Sequence, residues 1–358
     1  FECLPRRSYL QFAAESLRLP LAMHCSAAIE TERHAGSLTG VALPQRGVII
    51  SRREYGAGII GQCAYHRAVF FGDSGDAGHE FLMLALRIVH QTDRGLGDLG
   101  KASEPYWKPI FDGYAPSQKW LADMKPDVAI VVYNDHGLNF FLDKVPTFAI
   151  GCADTYYNAD EGWALKPVAP FKGHVPFSWH IAEKLVDQEF DICTCQEMKV
   201  DHGFVNPIRA LWGTHEVWPI TTIPLAVNTV QHPVPSALRC FKLGQALRTA
   251  VESYEEDLKV VVLGTGGMSH QLQGERAGLI DVDFDLECMD RIASDPEWMT
   301  RFTNSEIMRL TGTEGIETIM WLVMRGALQQ NVKVIHKHYH APISNTGAGV
   351  LVLENTFQ

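Results

Sequence analysis

Three histidines and one glutamate stand where their types and settings could support chemistry. His136 follows the apolar run "VAIVVYND", so the chain leaves a buried strand and presents Asn134, Asp135 and His136 at its carboxyl end. His202 sits in "MKVDHGFVNP", again after an aspartate and before a glycine. His270 closes "LKVVVLGTGGMSH", an apolar run that breaks into glycines. For each histidine the ordinary alternative is a loop imidazole bonded to backbone. Glu317 is different, because at about 100° per residue it falls beside Met324, at the edge of the apolar stripe Ile316, Ile319, Met320, Val323 and Met324. A carboxylate on a buried edge costs several kcal/mol unless it is paired or bound to a cation, so a metal and a salt bridge to an arginine both stand open. Two histidines and a carboxylate on one face of a metal leave the opposite positions open, the arrangement of non-haem Fe(II) oxygenases. The candidates are far apart in the chain, so only a fold can bring them together.

The elements that would position them are legible from about residue 104 onward. Strand-like runs at "DVAIVVYN", "PTFAIG", "FDICTC", "ITTIPLAV", "LKVVVLG" and "GVLVLEN" alternate with the helical patterns "SQKWLADM", "FSWHIAEKLVDQ", "SALRCFKLGQALRTAVESY" and "EGIETIMWLVMRGAL". Such alternation predicts an α/β layered fold, with a central mixed sheet flanked by helices. Thr311 and Glu314 have the T-x-x-E spacing of a capping box, which predicts the start of the last of these helices. Gly264-x-Gly266 after a strand looks like the opening of a dinucleotide turn, but Ser269 stands where the third glycine belongs. A nicotinamide-dependent enzyme would rest on those two glycines alone.

Composition narrows the field. With 358 residues and 46% hydrophobic content the chain can bury a large core. No apolar run of about 18 residues and no secretory leader is present, so a cytoplasmic protein with no membrane association is expected. Eight cysteines without a C-x-x-C pair argue against a disulfide framework or a structural zinc site. A net charge of -11 disfavours nucleic acid as a partner. The charge is also uneven: before Lys101 there are ten arginines and no lysine against ten acids, so the remainder carries the whole imbalance. Together with Phe1 in place of an initiator Met, this sets residues 1–85 apart as a segment of separate origin, by fusion or by upstream or frame-shifted translation, with the catalytic domain at 86–358.

Eight stretches in order carry a wider pattern: "YWKPIFDGY", "VVYNDHG", "PTFAIGCADTYYNADEGW", "FKGH", "VDHGFVNP", "GTGGMSHQLQGERAGLI", "GIETIMWLVMRGAL" and "HYHAPISNTG". Together they resemble the class III (type II) extradiol ring-cleavage dioxygenases, the group that includes the catalytic β subunit of protocatechuate 4,5-dioxygenase. The resemblance implies Fe(II) held by His136 and Glu317, with His270 as acid/base residue and His202 beside the substrate. It also implies a pocket lined by Ser269, Ser344 and Asn345. The remaining iron ligand in the family is the histidine of an S-H-x-P stretch shortly before "YWxP". Here the place reads "LRIVHQTDRGLGDLGKASEPYW", with His90 at nearly the expected distance but without the serine and the proline.

The activity that this resemblance implies is ring opening of a catechol acid with O₂. His270 would act first as base toward a catechol proton and later as acid toward the breaking O–O bond. Protocatechuate, opened to 4-carboxy-2-hydroxymuconate semialdehyde, is the first expectation. A separate small helical α subunit in a heterotetramer or other oligomer is expected because no such segment is fused to the chain. A gallate-type dioxygenase, a metal-dependent hydrolase using the same residues, and an inactive relative with an incomplete iron site are the alternatives.

Overall fold

Alternating strands and helices close around an eight-stranded sheet. The computed structural model describes residues 81–86, 101–162, 168–341 and 346–356. In chain order these form β1 (Phe81–Leu86), α1 (Lys108–Asp112), α2 (Ala115–Met124), β2 (Val128–Tyr133), β3 (Phe148–Gly151), β4 (Thr155–Asn158) and β5 (Phe171–Lys172). Then come α3 (Val175–Asp187), β6 (Cys193–Cys195), β7 (Lys199–Val200), α4 (His202–Trp212), β8 (Thr221–Val227) and α5 (Ala237–Glu252). The chain continues through β9 (Val260–Gly264), α6 (Val282–Ser294), α7 (Asn304–Thr311), α8 (Ile319–Gly326), β10 (Val332–His340) and β11 (Ala348–Asn355).

The large sheet runs β10-β11-β1-β9-β2-β8-β3-β6. Its middle four strands are parallel, from β1 through β9 and β2 to β8. Antiparallel joins at β1–β11 and β3–β8 turn the sheet mixed toward its edges, as the alternating pattern predicts. Both faces are covered, and β2 shows how the sequence arranges this. Val128, Ile130 and Val132 enter a core with Phe177 and Ile181 of α3, Leu243 and Leu247 of α5, and Leu322 of α8. Ala129, Val131 and Tyr133 point the other way, into a core with Ile110 of α1, Leu121 of α2, and Phe204 and Ile208 of α4. A strand buried on both faces reads as a continuous apolar run, and each fully buried Val or Ile contributes about 1.5–3 kcal/mol. The carboxyl ends of β2 and β9 lie side by side, so the loops leaving those two strands share one edge of the sheet.

A smaller sheet, β5-β4-β7, lies alongside in the order of pairing. In it β4 and β7 run parallel with Asn158 opposite Val200. Strand β1 spans the boundary drawn at residue 85 from lysine usage and pairs with β9 on one side and β11 on the other.

The capping box expected at Thr311 and Glu314 is not formed. Gly312, at φ 90°, ends α7, so the Thr311 hydroxyl donates back to the Ile307 carbonyl and Glu314 accepts from Thr313 and from the Leu272 N–H. The box that forms opens α7 instead, between Thr303 and Glu306. Glu317 accordingly lies in a short 3₁₀ turn, Glu314–Thr318, ahead of α8 and not within its helical stripe.

Candidate active and metal-binding site

The site begins where β2 ends. Asp135 turns the chain by accepting the N–H groups of Gly137, Leu138, Asn139 and Phe140, which fixes the loop and leaves His136 facing inward. Across from it, Asp201 caps α4 by accepting the Gly203 N–H at 2.9 Å through Oδ1. Its other oxygen accepts both the backbone N–H of His136 at 2.8 Å and the ring Nδ1–H at 2.9 Å. One buried carboxylate therefore starts a helix and orients an imidazole. Burial opposes charge on both partners, yet the pairing prevails: the Asp201 carboxyl is held below its ordinary range, and His136 is pushed up to about 9 by Asp201, with Glu317 and Glu161 adding to it.

With Nδ1 committed to Asp201, the Nε2 of His136 faces Glu317 Oε1 at 4.0 Å. The Asn134 amide lies between them, 3.1 Å from Oε1 and 3.2 Å from Nε2. The other carboxylate oxygen accepts the Gly267 N–H at 2.6 Å. These two donor atoms suit a metal ion. A first-row cation bonds imidazole nitrogen and carboxylate oxygen at about 2.0–2.2 Å, so a 4.0 Å separation lies within the reach of one shared ion. A carboxylate holding the far nitrogen of a ligating histidine is the usual support for such a centre.

The glycines of "GTGGMSH" make this approach possible. Gly266 has φ 98°, and a Cβ there would lie 2.8 Å from the Cβ of Glu317. A Cβ on Gly267 would run into the ring of His270. The turn thus packs against Glu317 on one side and His270 on the other, and its Gly267 N–H is given to the Glu317 carboxylate. His270 is fully buried, with Nδ1 donating to the Met268 carbonyl at 2.9 Å and its backbone N–H donating to Thr311 O at 2.7 Å. A carbonyl can only accept, so Nδ1 carries the proton and Nε2 is the atom with a lone pair.

His202 joins from the first turn of α4. Its ring stacks on that of His136 with centroids 4.1 Å apart, and its Nδ1 meets Glu161 Oε2 at 2.5 Å. Single ligand atoms from His136, Asp201 and His202 lie within 4.8 Å of one another, a cluster that could hold a metal ion. Asp201 is wholly buried and already accepts from the His136 backbone, the His136 ring and the Gly203 backbone, which suits it to holding His136 in place.

The structure therefore brings His136, Glu317 and His202 together and sets His270 behind the same glycine turn. Ser269 is placed elsewhere. It is fully buried, its hydroxyl donates to Asp285 at 2.7 Å and accepts the Asp281 N–H at 2.8 Å, and its own N–H donates to Asp285 at 2.8 Å. Its hydroxyl thus anchors the turn to α6. His90, Ser344 and Asn345 lie outside the described residues. The supporting residues Asp201, Glu161 and Asn134 do not stand out in the sequence; the only local signals are the aspartate directly before His202 and the asparagine two residues before His136.

A family model described as the catalytic LigB subunit of aromatic ring-opening dioxygenase matches residues 84–351, which takes in every residue of the site above. The chain belongs to the LigB family. Gallate dioxygenase of Pseudomonas putida is 46% identical to this LigB chain over 200 residues, 56% of this chain and 58% of that protein. A 2,3-dihydroxyphenylpropionate/2,3-dihydroxicinnamic acid 1,2-dioxygenase of Comamonas testosteroni is 25% identical over 289 residues, 67% of this chain and 88% of that one. The chain thus spans less than two thirds of the gallate dioxygenase it matches. Among the described residues of this LigB chain, no helix is long and apolar enough to cross a membrane.

Proposed function

We propose that this chain carries the catalytic site of a metal-dependent extradiol dioxygenase acting on a catechol acid. The observation that supports this most directly is the convergence of His136 Nε2 and Glu317 Oε1 at 4.0 Å, with Asp201 behind the imidazole. His136 and Glu317 would hold ferrous iron, with His90 as the further ligand suggested by resemblance. Bound there, ferrous iron would supply a centre at which an electron-rich ring and O₂ could meet.

The chain's own groups do the rest. His270 accepts a catechol proton at Nε2, because its Nδ1–H is spent on Met268. His202, held at Nδ1 by Glu161, offers its ring to a substrate hydroxyl. Asn134 and the Gly267 N–H orient the Glu317 carboxylate. Both oxygen atoms of O₂ enter the product as the ring bond beside the diol breaks. Because one relative is named gallate dioxygenase, gallate is compared alongside protocatechuate first.

The test is Fe(II) reconstitution under anaerobic conditions, then O₂ uptake on gallate, protocatechuate and catechol, with and without a candidate small helical subunit. One O₂ consumed per ring opened supports the reading. A protein that binds zinc, consumes no O₂ and hydrolyses an ester or amide at the same residues would replace it with a hydrolase.

A further inference from the structure

Glu161 is a buried carboxylate that both donors of one histidine address. Its side chain is 7% exposed, Oε2 lies 2.5 Å from the His202 Nδ1, and Oε1 accepts the His202 backbone N–H at 2.9 Å. The small sheet arranges this meeting. Asn158 pairs with Val200, the Ala159 N–H donates to Val200 O at 2.8 Å, and the Asn158 side chain donates to the same carbonyl at 3.1 Å. Two parallel strands locked at that register carry residue 161 of one chain segment alongside residue 202 of the other. The Asp160 side chain accepts the Gly162 N–H at 2.9 Å and tightens the turn at this point.

A carboxylate in this setting is expensive to bury, and an apolar residue of similar size would stabilise the fold as well or better. What a carboxylate does that an apolar residue cannot is select one ring tautomer. We propose that Glu161 is the positioning residue of His202: its two oxygens grip the ring and the backbone of that histidine together, fix the proton on Nδ1, and leave Nε2 as the atom that meets the substrate. The pair mirrors Asp201 and His136 across the ring stack, so each of two adjacent histidines has its own carboxylate. Asp201 sets an imidazole toward a cation, and Glu161 sets one toward an organic hydroxyl. The inference rests on the dioxygenase reading for what His202 contacts, while the tautomer itself does not depend on it.

Glu161→Gln, Glu161→Asp, His202→Ala and the double variant His202→Ala/Glu161→Gln test it in the full-length chain. Glu161→Gln should lower kcat about tenfold or more while KM and iron content stay within about threefold of wild type. Glu161→Asp, which keeps two acceptor oxygens, should recover part of the loss. The double variant should be no slower than His202→Ala, because Glu161 acts only through that ring. A second readout needs no turnover: in ¹⁵N-histidine spectra of metal-free protein, the signal that His202→Ala removes should report Nδ1–H in wild type and change in Glu161→Gln. Wild-type kcat in Glu161→Gln, a double variant slower than His202→Ala by the full single-variant factor, or an unchanged tautomer would overturn the proposal. A wild-type protein that consumes no O₂ would sink the dioxygenase reading, and the spectra would still judge Glu161.

Discussion

The rings of His136 and His202 lie face to face with centroids 4.1 Å apart, and each is gripped at Nδ1 by a buried carboxylate, Asp201 for one and Glu161 for the other. Two imidazoles so close would repel if both were charged. The paired carboxylates offset that repulsion and give each ring a single orientation, as the proposed binding of a cation beside a substrate requires.

Asp201 should therefore matter twice. Asp201→Asn keeps the shape but presents an N–H to at least one donor, so metal affinity should fall on the order of 10–100-fold. The amide can keep the α4 cap through Oδ1, since asparagine caps as well as aspartate, but a donor facing the two His136 N–H groups in a buried place should lower stability by about 1–3 kcal/mol. Metal titration and urea unfolding of the same preparation separate the two effects. A variant that loses only stability would show that Asp201 supports the fold without tuning a metal ligand.

Protons should compete with the metal at His136. Its folded pKa is raised to about 9, against ~6.5 for an unperturbed histidine. In the metal-free protein the His136–Asp201 pair thus adds stability that is fully present below ~6.5 and is lost as pH rises through 9. Metal affinity runs the opposite way, gaining up to about tenfold per pH unit between 6.5 and 9 as the ring gives up its proton. Metal titrations across this range read the slope directly, and a flat profile would show that His136 is not a ligand.

Gly266→Ala should disturb the metal site from outside it. The left-handed backbone and the approach to Glu317 leave no room for a methyl, so a loss of about 1–3 kcal/mol is expected along with reduced metal content. Denaturant unfolding gives the first quantity and elemental analysis the second. Full metal content in this variant would mean that Glu317 can move without consequence.

Asp285 should act as a structural anchor for His270. Its carboxylate accepts the Ser269 N–H and hydroxyl and the Tyr339 hydroxyl. Asp285→Ala leaves those donors without this acceptor in a buried place, so about 2–4 kcal/mol of stability should be lost. Metal content should be retained, because neither donor atom of the metal site touches Asp285. Wild-type stability in this variant would show that the Ser269 turn is held by other contacts.

Much of this architecture is legible in the residues. The strands "DVAIVVYN" and "LKVVVLG" carry uninterrupted apolar runs because both sheet faces are covered, and the structure has them side by side at the centre. His136 and His270 can be placed at strand ends for that reason. Helical periodicity puts Glu317 on the edge of a helix, whereas it belongs to a 3₁₀ turn, since Gly312 resets the chain just before it. The partners Asp201 and Glu161 are harder to see. Each finds its histidine through tertiary contact, one across 65 residues and the other across 41, and no local spacing encodes either; the register of β4 and β7 sets the second. Ser269 stands directly before His270 in the sequence, yet its hydroxyl bonds to Asp285 of α6 and to the Asp281 N–H, a placement that only the tertiary fold decides.

The division of labour among His136, Glu317 and His270 is tested most directly by anaerobic Fe(II) binding to wild type, Glu317→Ala and His270→Ala, then O₂ uptake with a catechol acid. Wild type should hold one iron per chain and consume O₂, Glu317→Ala should lose the iron, and His270→Ala should keep the iron while turnover falls about 10²-fold or more. Equal iron loss in both variants, or full iron retention in Glu317→Ala, would contradict the assignment of the carboxylate to the metal and of His270 to the proton.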